Sequence, residues 1–348
     1  MALGFAIVGT GMISTFHARA LAEVRGAKLV ACCDRNPEAA VKFAAEHDCA
    51  EYVNIKDLMK DDQVDVVSVA TPSGVHLEPA VAAAEAGKHV VVEKPLEVTT
   101  RRCDRIIAAC EKNGVKLATI FPSRFHDSSI AMKKAVNAGR FGKLTLGDAY
   151  VKWYRSQEYY HSGAWRGTWK LDGGGALMNQ AIHTVDLLLW LMGPVTEVRA
   201  HTATLAHERI EVEDVATAIL RFENGALGVL EASTAVYPGY LKRIELHGIG
   251  GTAVLEEEDI IKWDFAKRGR GDAAILESMK KSKSSGGGAS DPAAIGHHAH
   301  ALLFKDFVSA IKNDRPPAID GHEGRRSVEV INAVYKSASS GRAVKISS

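Results

Sequence analysis

An apolar strand that runs straight into a glycine turn and out into a helix constrains this chain more than anything else in it. Phe5-Ala6-Ile7-Val8 leads into Gly9-Thr10-Gly11-Met12-Ile13-Ser14, and from His17 to Val24 the apolar spacing is helical. In a dinucleotide fold Gly9 makes the turn and Gly11 lets a pyrophosphate approach the backbone. The phosphates then rest on the amides and positive dipole of the helix start, with Thr10, Met12 and Ile13 completing the loop. Ser14 stands where such a loop prefers a third Gly or Ala, which predicts slightly looser packing of helix on strand.

The pattern then repeats. Lys28 to Cys33 reads as a second strand ending at Asp34, where a carboxylate accepts hydrogen bonds from an adenosine ribose. That favours NAD over NADP, although Arg35 next to it can stack on adenine or attract a ribose phosphate. Val64 to Ala70 is a third strand, ending in Thr71-Pro72-Ser73 with His76 close behind and a helix over Glu78 to Ala86. His89 to Val92 delivers Glu93-Lys94-Pro95, a helix reads over Arg101 to Lys112, and Lys116 to Ile120 closes the series. Strands alternating with helices predict a doubly wound parallel sheet, with these turns at its ligand-binding edge. There Lys94 puts a cation where a nicotinamide ribose would lie.

A length of 348 residues with 46% hydrophobic content predicts two globular domains. The 43 Lys and Arg nearly balance the 42 Asp and Glu, so no broad field of one sign is available for nucleic acid or a membrane surface. No apolar run approaches the roughly 20 residues needed to span a bilayer, and the N-terminus reads as a strand rather than a signal segment. The five cysteines follow neither a disulfide framework nor metal-ligand spacing, and His297, His298 and His300 lack suitable partners. A reducing cytoplasm and no metal are expected.

Taken in order, the glycine loop, Asp34, Thr71-Pro72 with His76, and Glu93-Lys94-Pro95 resemble the Gfo/Idh/MocA family of oxidoreductases. A second cluster adds to the likeness: Tyr159-Tyr160, Trp165-Arg166-Gly167-Thr168-Trp169, Asp172-Gly173-Gly174-Gly175-Ala176-Leu177, and His183 with Asp186. It is most similar to members that oxidise a ring hydroxyl of pyranose sugars, including nucleotide-sugar and uronate dehydrogenases. The resemblance implies a Rossmann domain over 1–121, then an α/β domain over 122–348 with a large, open, mostly antiparallel sheet, and an active site between them. It also implies a homodimer or homotetramer.

Oxidising a secondary alcohol needs a group to take the hydroxyl proton and a donor to steady the developing alkoxide. His183, an imidazole with an ordinary pKa near 6.5, suits the first task, and the Lys94 ammonium suits the second. Ala176 to Trp190 reads as one helix, which puts Asn179 four residues before His183 on the same face. Many members carry Asp where Asn179 stands; an amide takes no proton, so Asn179 is expected to hydrogen-bond substrate. The resemblance assigns Trp165 and Arg166, with Glu93, to the cofactor. Arg124, Tyr160, Gln180 and His298 are sugar-pocket candidates because they lie near the matched segments. Two rival readings remain open: an NAD-dependent glycoside hydrolase working by transient oxidation, and a nucleotide-sensing regulator without turnover.

In the second domain, Val195 to Ala200, Asp214 to Phe222, Ala226 to Ala232, Arg243 to His247 and Ala253 to Leu255 read as strands, with a hairpin turn at Asn224-Gly225. Residues 266–296, Gly- and Ser-rich around Lys280-Lys281-Ser282-Lys283, read as a solvated loop or a lid. His300 to Lys312 reads as a helix beside the active site.

Overall fold

A computed structural model describes residues 2–281 and 296–346. The chain divides into two compact units, one of residues 1–122, 170–173 and 296–328, the other of 123–169, 174–295 and 329–348. The second unit therefore does not run unbroken from 122 to the end. Residues 296–328 count with the first.

The first unit is a six-stranded parallel sheet of β1 (Leu3–Val8), β2 (Ala27–Cys33), β3 (Ala50–Tyr52), β4 (Val66–Val69), β5 (His89–Val92) and β6 (Leu117–Thr119). Their order, β3-β2-β1-β4-β5-β6, reverses between β1 and β4. Covered on both faces, the central strands are apolar apart from Ser68 on β4 and His89 at the start of β5, and Phe5 to Ile7 and Val90 to Val92 have no exposed surface. Register then decides where the chemistry can sit. Val8 pairs with both Cys33 and Val69, and Val69 pairs with Val92. Gly9, Asp34, Ala70-Thr71 and Glu93-Lys94 thus leave the sheet along one edge, at the reversal of strand order where this architecture binds ligands. Helix His298–Lys312, expected beside the active site, packs in this unit through Phe304, whose ring meets Phe5 at 5.8 Å and His17 at 5.4 Å.

The second unit holds an eight-stranded sheet: β7 (Leu144–Lys152), β8 (Val195–Ala203), β9 (Val215–Phe222), β10 (Leu227–Ser233), β11 (Arg243–Gly248), β12 (Gly251–Glu256), β13 (Asp259–Phe265) and β14 (Val344–Lys345). The order is β13-β12-β11-β7-β10-β9-β8-β14, antiparallel except for the pair β7 and β10. Along β9, Ala216, Ala218, Leu220 and Phe222 are buried while Thr217, Ile219 and Arg221 face outward, the alternation of a sheet covered on one side. Strands β7, β13 and β14 and the helices Asp127–Asn137 and Gly321–Ser340 were not among the expected elements.

Two expectations change. Ala176 to Trp190 is not one regular helix: Ala176–Ala181 is a π-helical turn, and the α-helix runs from Ile182 to Met192. Part of the expected 266–296 loop is a helix, Asp272–Lys281, pinned by a two-pronged ion pair from Arg140 to Asp272 (2.6 and 2.8 Å). Residues 282–295 of that segment lie outside the described residues, as does the lid reading that depends on them.

Candidate active site

In the first unit the glycine turn has the shape a dinucleotide requires. Gly9 has φ +92°, and a Cβ there would lie 2.8 Å from the Ala70 backbone, so the position admits only glycine. A Cβ on Gly11 would meet nothing within 4 Å. Gly11 starts the helix Met12–Ala22 without a side-chain cap, which leaves its exposed N-terminal end, Gly11 and Met12 with half-buried Ile13, open to an anion. Ser14 is fully buried, and its hydroxyl bonds back to the Gly11 carbonyl. Asp34 accepts the Thr10 N–H and hydroxyl, both at 2.9 Å, which fixes the turn against the end of β2; Arg35 is exposed beside it. These residues fit a dinucleotide.

The loop after β4 has Thr71 and Pro72 half-buried and Ser73 buried. His76, expected at the cofactor, is 1% exposed, and its ring nitrogens lie 2.9 Å from the carbonyls of Thr71 and Pro95. It clips two loops together. Glu93, also expected at the cofactor, turns inward to His17 (2.9 Å) and takes the Lys94 amide (2.9 Å). Burial pushes its carboxyl up, but the His17 hydrogen bond and the charges of His17, His300 and Lys94 outweigh that and hold it at about 2. Between Val90 and Val98, Lys94 is the one residue that is not buried.

In the second unit the helix after Gly175 shows the same selectivity. From Gly174 to Leu189, every residue is buried except Asn179 and His183. The π turn inserts into the helical ladder at this point, a feature often found at functional sites, and keeps the two on one face. The turn is held by Glu213, whose carboxylate accepts the amides of Gly175 (2.9 Å) and Leu177 (2.8 Å) and the Tyr335 hydroxyl (3.0 Å). Burial among neutral donors raises this carboxyl to about 7.

Beside Asn179, Gln180 accepts from Arg155 and donates to the Tyr159 hydroxyl, both at 2.8 Å. Arg166 donates to the same hydroxyl at 2.6 Å and stacks between Tyr159 and Trp165, at 4.3 and 4.5 Å from the ring centres. Tyr159 and Arg155 thus belong to this cluster, although the sequence reading chose Tyr160. Tyr160 is buried and bonded to Thr234 (2.8 Å). Arg124, expected to meet sugar, is buried in a two-pronged pair with Asp186 (2.8 and 2.7 Å) and stacks on Trp190. His298 is exposed in the first unit, 4.0 Å from Glu23; its neighbour His300 is the one that turns inside, toward Glu93. No length or spacing rule separates Tyr159 from Tyr160. Nothing local in the sequence marks His17, whose burial and whose partners Ser68 and Glu93 appear only in the fold.

The parallel sheet, the open glycine turn and the acidic end of β2 define a dinucleotide-binding oxidoreductase. Residues 3–121 match the oxidoreductase family with an NAD-binding Rossmann fold, and residues 130–254 match the GFO/IDH/MocA C-terminal domain. Myo-inositol 2-dehydrogenase of Thermotoga maritima is 30% identical, covering 98% of this chain and 97% of that protein; inositol 2-dehydrogenase of Rhizobium meliloti is 25% identical, covering 99% and 100%. The crystal structure of the WlbA dehydrogenase from Bordetella pertussis, in complex with NADH and UDP-GlcNAcA, superposes with a TM-score of 0.91 at 36% identity, covering 100% of this chain and 98% of that one. The chain belongs to the Gfo/Idh/MocA family of oxidoreductases. Among the described residues no helix is long and apolar enough to cross a membrane.

Proposed function

We propose that this protein is an NAD-dependent dehydrogenase of a ring hydroxyl on a sugar, sugar derivative or cyclic polyol, with Lys94 and His183 as the proton-handling groups. The observation that carries the reading is selective exposure: Lys94 in one buried run, and Asn179 with His183 in another. Lysine and asparagine ordinarily stand in open solvent; here each of the three side chains keeps only partial access inside a buried run, as a group that meets a bound ligand does. Gly9 to Ile13, Asp34 and the 71–73 loop hold the dinucleotide, with Arg35 beside the adenosine; the family resemblance adds Trp165 and Arg166 as cofactor contacts. When bound, the nicotinamide supplies the hydride acceptor. The Lys94 ammonium donates to the substrate oxygen and steadies it as its proton leaves, and an imidazole nitrogen of His183 takes that proton. Asn179 orients the substrate through its amide.

Asp34 supports NAD over NADP, since its carboxylate repels a ribose phosphate. Arg166, half-buried where it stacks on Tyr159, can meet a substrate anion as well as the cofactor and supports a substrate carrying negative charge, such as a uronate or a nucleotide sugar, over a neutral polyol. That is also the kind of ligand in the WlbA complex. The outward face of the eight-stranded sheet, with Ile219 and Leu227 exposed, supports a homodimer or homotetramer. Five free cysteines, four of them buried, fit a reducing cytoplasm.

The test is reduction of NAD and of NADP, in parallel, by myo-inositol, glucose, glucuronate and UDP-linked uronates. Lys94→Ala should lower kcat by about a thousandfold while melting temperature and NAD binding persist. Undiminished turnover in that variant ends the proposal, and glycoside cleavage with NAD unchanged replaces it by the hydrolase. Light scattering that returns a monomer mass removes the assembly.

A further inference from the structure

Behind Lys94 lies a buried polar chain that the proposed reaction does not use. Ser68 on β4 shares a hydrogen bond with His17 (3.0 Å), and His17 donates its other ring nitrogen to Glu93 Oε1 (2.9 Å). The second Glu93 oxygen accepts the Lys94 amide (2.9 Å). Ser68 and His17 have no exposed surface, Glu93 5%, and His300 closes the group 3.9 Å from the same carboxylate. Burying a carboxylate in the middle of a fold is costly unless it is hydrogen-bonded and faced by positive charge, so three elements have been committed to keeping this one.

The ligand atoms of His17, Glu93 and His300 all lie within 4.8 Å of one another, which invites comparison with a metal centre. But His17 already gives one ring nitrogen to Glu93 and the other to Ser68. A cation would have to break bonds the chain makes for itself. The direction in which the network points is toward residue 94.

We infer that Glu93 is the positioning residue of Lys94, fixing the backbone of residue 94 at the sheet edge through its amide and keeping a buried negative charge beside it, and that Ser68 and His17 anchor that carboxylate. The inference rests on the reading of Lys94 as a proton-handling group. Lys94 is among the charges that keep Glu93 ionised, and that attraction is reciprocal. The titratable groups facing Glu93 are His17 from the first helix, His300 from the helix 298–312, and Lys94 itself. Neither histidine can replace the carboxylate, because each brings positive charge or none.

The test does not need the natural substrate. In the NAD-bound protein, acetylation of Lys94 by acetic anhydride is followed against pH by mass spectrometry, with exposed Lys42 as internal reference. Glu93→Gln, which keeps the shape and removes the charge, should move the Lys94 midpoint down by about half a pH unit or more, leave Lys42 unmoved, and leave NAD affinity within about twofold. Glu93→Asp, which retracts the charge by one methylene, should move it in the same direction by less. Where Glu93→Gln fails to fold, Glu93→Asp decides alone, and a midpoint unmoved in the folded variant overturns the inference. Turnover separates this from the functional reading. If Lys94→Ala keeps full turnover the reading of Lys94 fails, whatever Glu93 does; if Lys94→Ala is inactive while the Glu93→Gln midpoint stays in place, only the positioning role falls.

Discussion

Gly9-Thr10-Gly11 and Gly173-Gly174-Gly175 each lead into a helix, yet the amides at the two helix starts have different partners. In the first turn, the space where a Gly11 Cβ would lie is empty to 4 Å, and no side chain caps the helix. In the second, the amides of Gly175 and Leu177 are taken by the Glu213 carboxylate and that of Ala176 by the Glu213 carbonyl at 3.0 Å. One turn keeps its anion site for a ligand. The other fills it from within, and what it secures is the helix that exposes Asn179 and His183. A glycine-rich turn before a helix is therefore a statement about backbone clearance, and its partner can be a phosphate or the protein's own carboxylate.

The comparison breaks most visibly at Gly175. A Cβ there would lie 1.8 Å from the Glu213 carbonyl oxygen, a distance no side-chain movement relieves. Gly175→Ala should displace Glu213 and leave buried amides unpaired, costing at least about 3 kcal/mol in urea unfolding. A loss under about 1 kcal/mol would show that the turn can relax around the methyl group, and the filled-site account would go with it.

The two buried glutamates give a second, smaller contrast. Glu213 is raised to about 7 by burial among neutral donors, whereas Glu93 is held at about 2 by the cations around it. A carboxyl raised on folding binds its proton more tightly in the folded state. The stability from Glu213 is therefore full below the ordinary value of 4.5 and is lost as pH rises through about 7. Glu93 does the reverse, contributing above 4.5 and failing as pH falls toward 2. Relative to Glu213→Gln, which cannot titrate, the wild type should lose about 2 to 3 kcal/mol of unfolding free energy between pH 5 and pH 8. Parallel curves for the two proteins would mean that Glu213 stays ionised in the fold.

What the sequence made legible follows the same division. The first unit was readable because its strands are apolar on both faces and its turns carry their chemistry locally: Val90 to Val92 announces a central strand, and Lys94 follows at once. In the second unit the hairpin at Asn224-Gly225 was readable, with Gly225 at φ +85°. Strand β7 was not, because Gly147 and Asp148 interrupt its apolar pattern. Both have reasons that only the fold reveals: a Cβ at 147 would lie 2.7 Å from Met192, and Asp148 accepts the Val229 amide at 2.8 Å. The site divides likewise. Lys94, Asn179 and His183 came from short motifs, while the contacts that hold them run across long separations: Glu213 lies 36 residues beyond Leu177, and His17, which anchors Glu93 behind Lys94, lies 76 residues before it. Arg124 was chosen for its place near the matched segments, and the carboxylate it meets in the fold, Asp186, is 62 residues away.

Gly11→Ala is the gentlest probe and isolates what is special to the first turn. With nothing within 4 Å of the added methyl and a backbone at φ −77°, the folded protein has no reason to resist it. Stability should stay within about 0.5 kcal/mol of wild type. The methyl group would instead occupy the approach of the pyrophosphate to the helix amides, so NAD affinity, measured by calorimetry, should fall at least about tenfold, or about 1.4 kcal/mol. Gly175→Ala predicts the opposite pairing, a large loss of stability, with the dinucleotide turn itself untouched. If Gly11→Ala instead unfolds the protein and leaves NAD binding intact in the folded fraction, the first turn serves packing as the second does, and the distinction between an open and a filled helix start disappears.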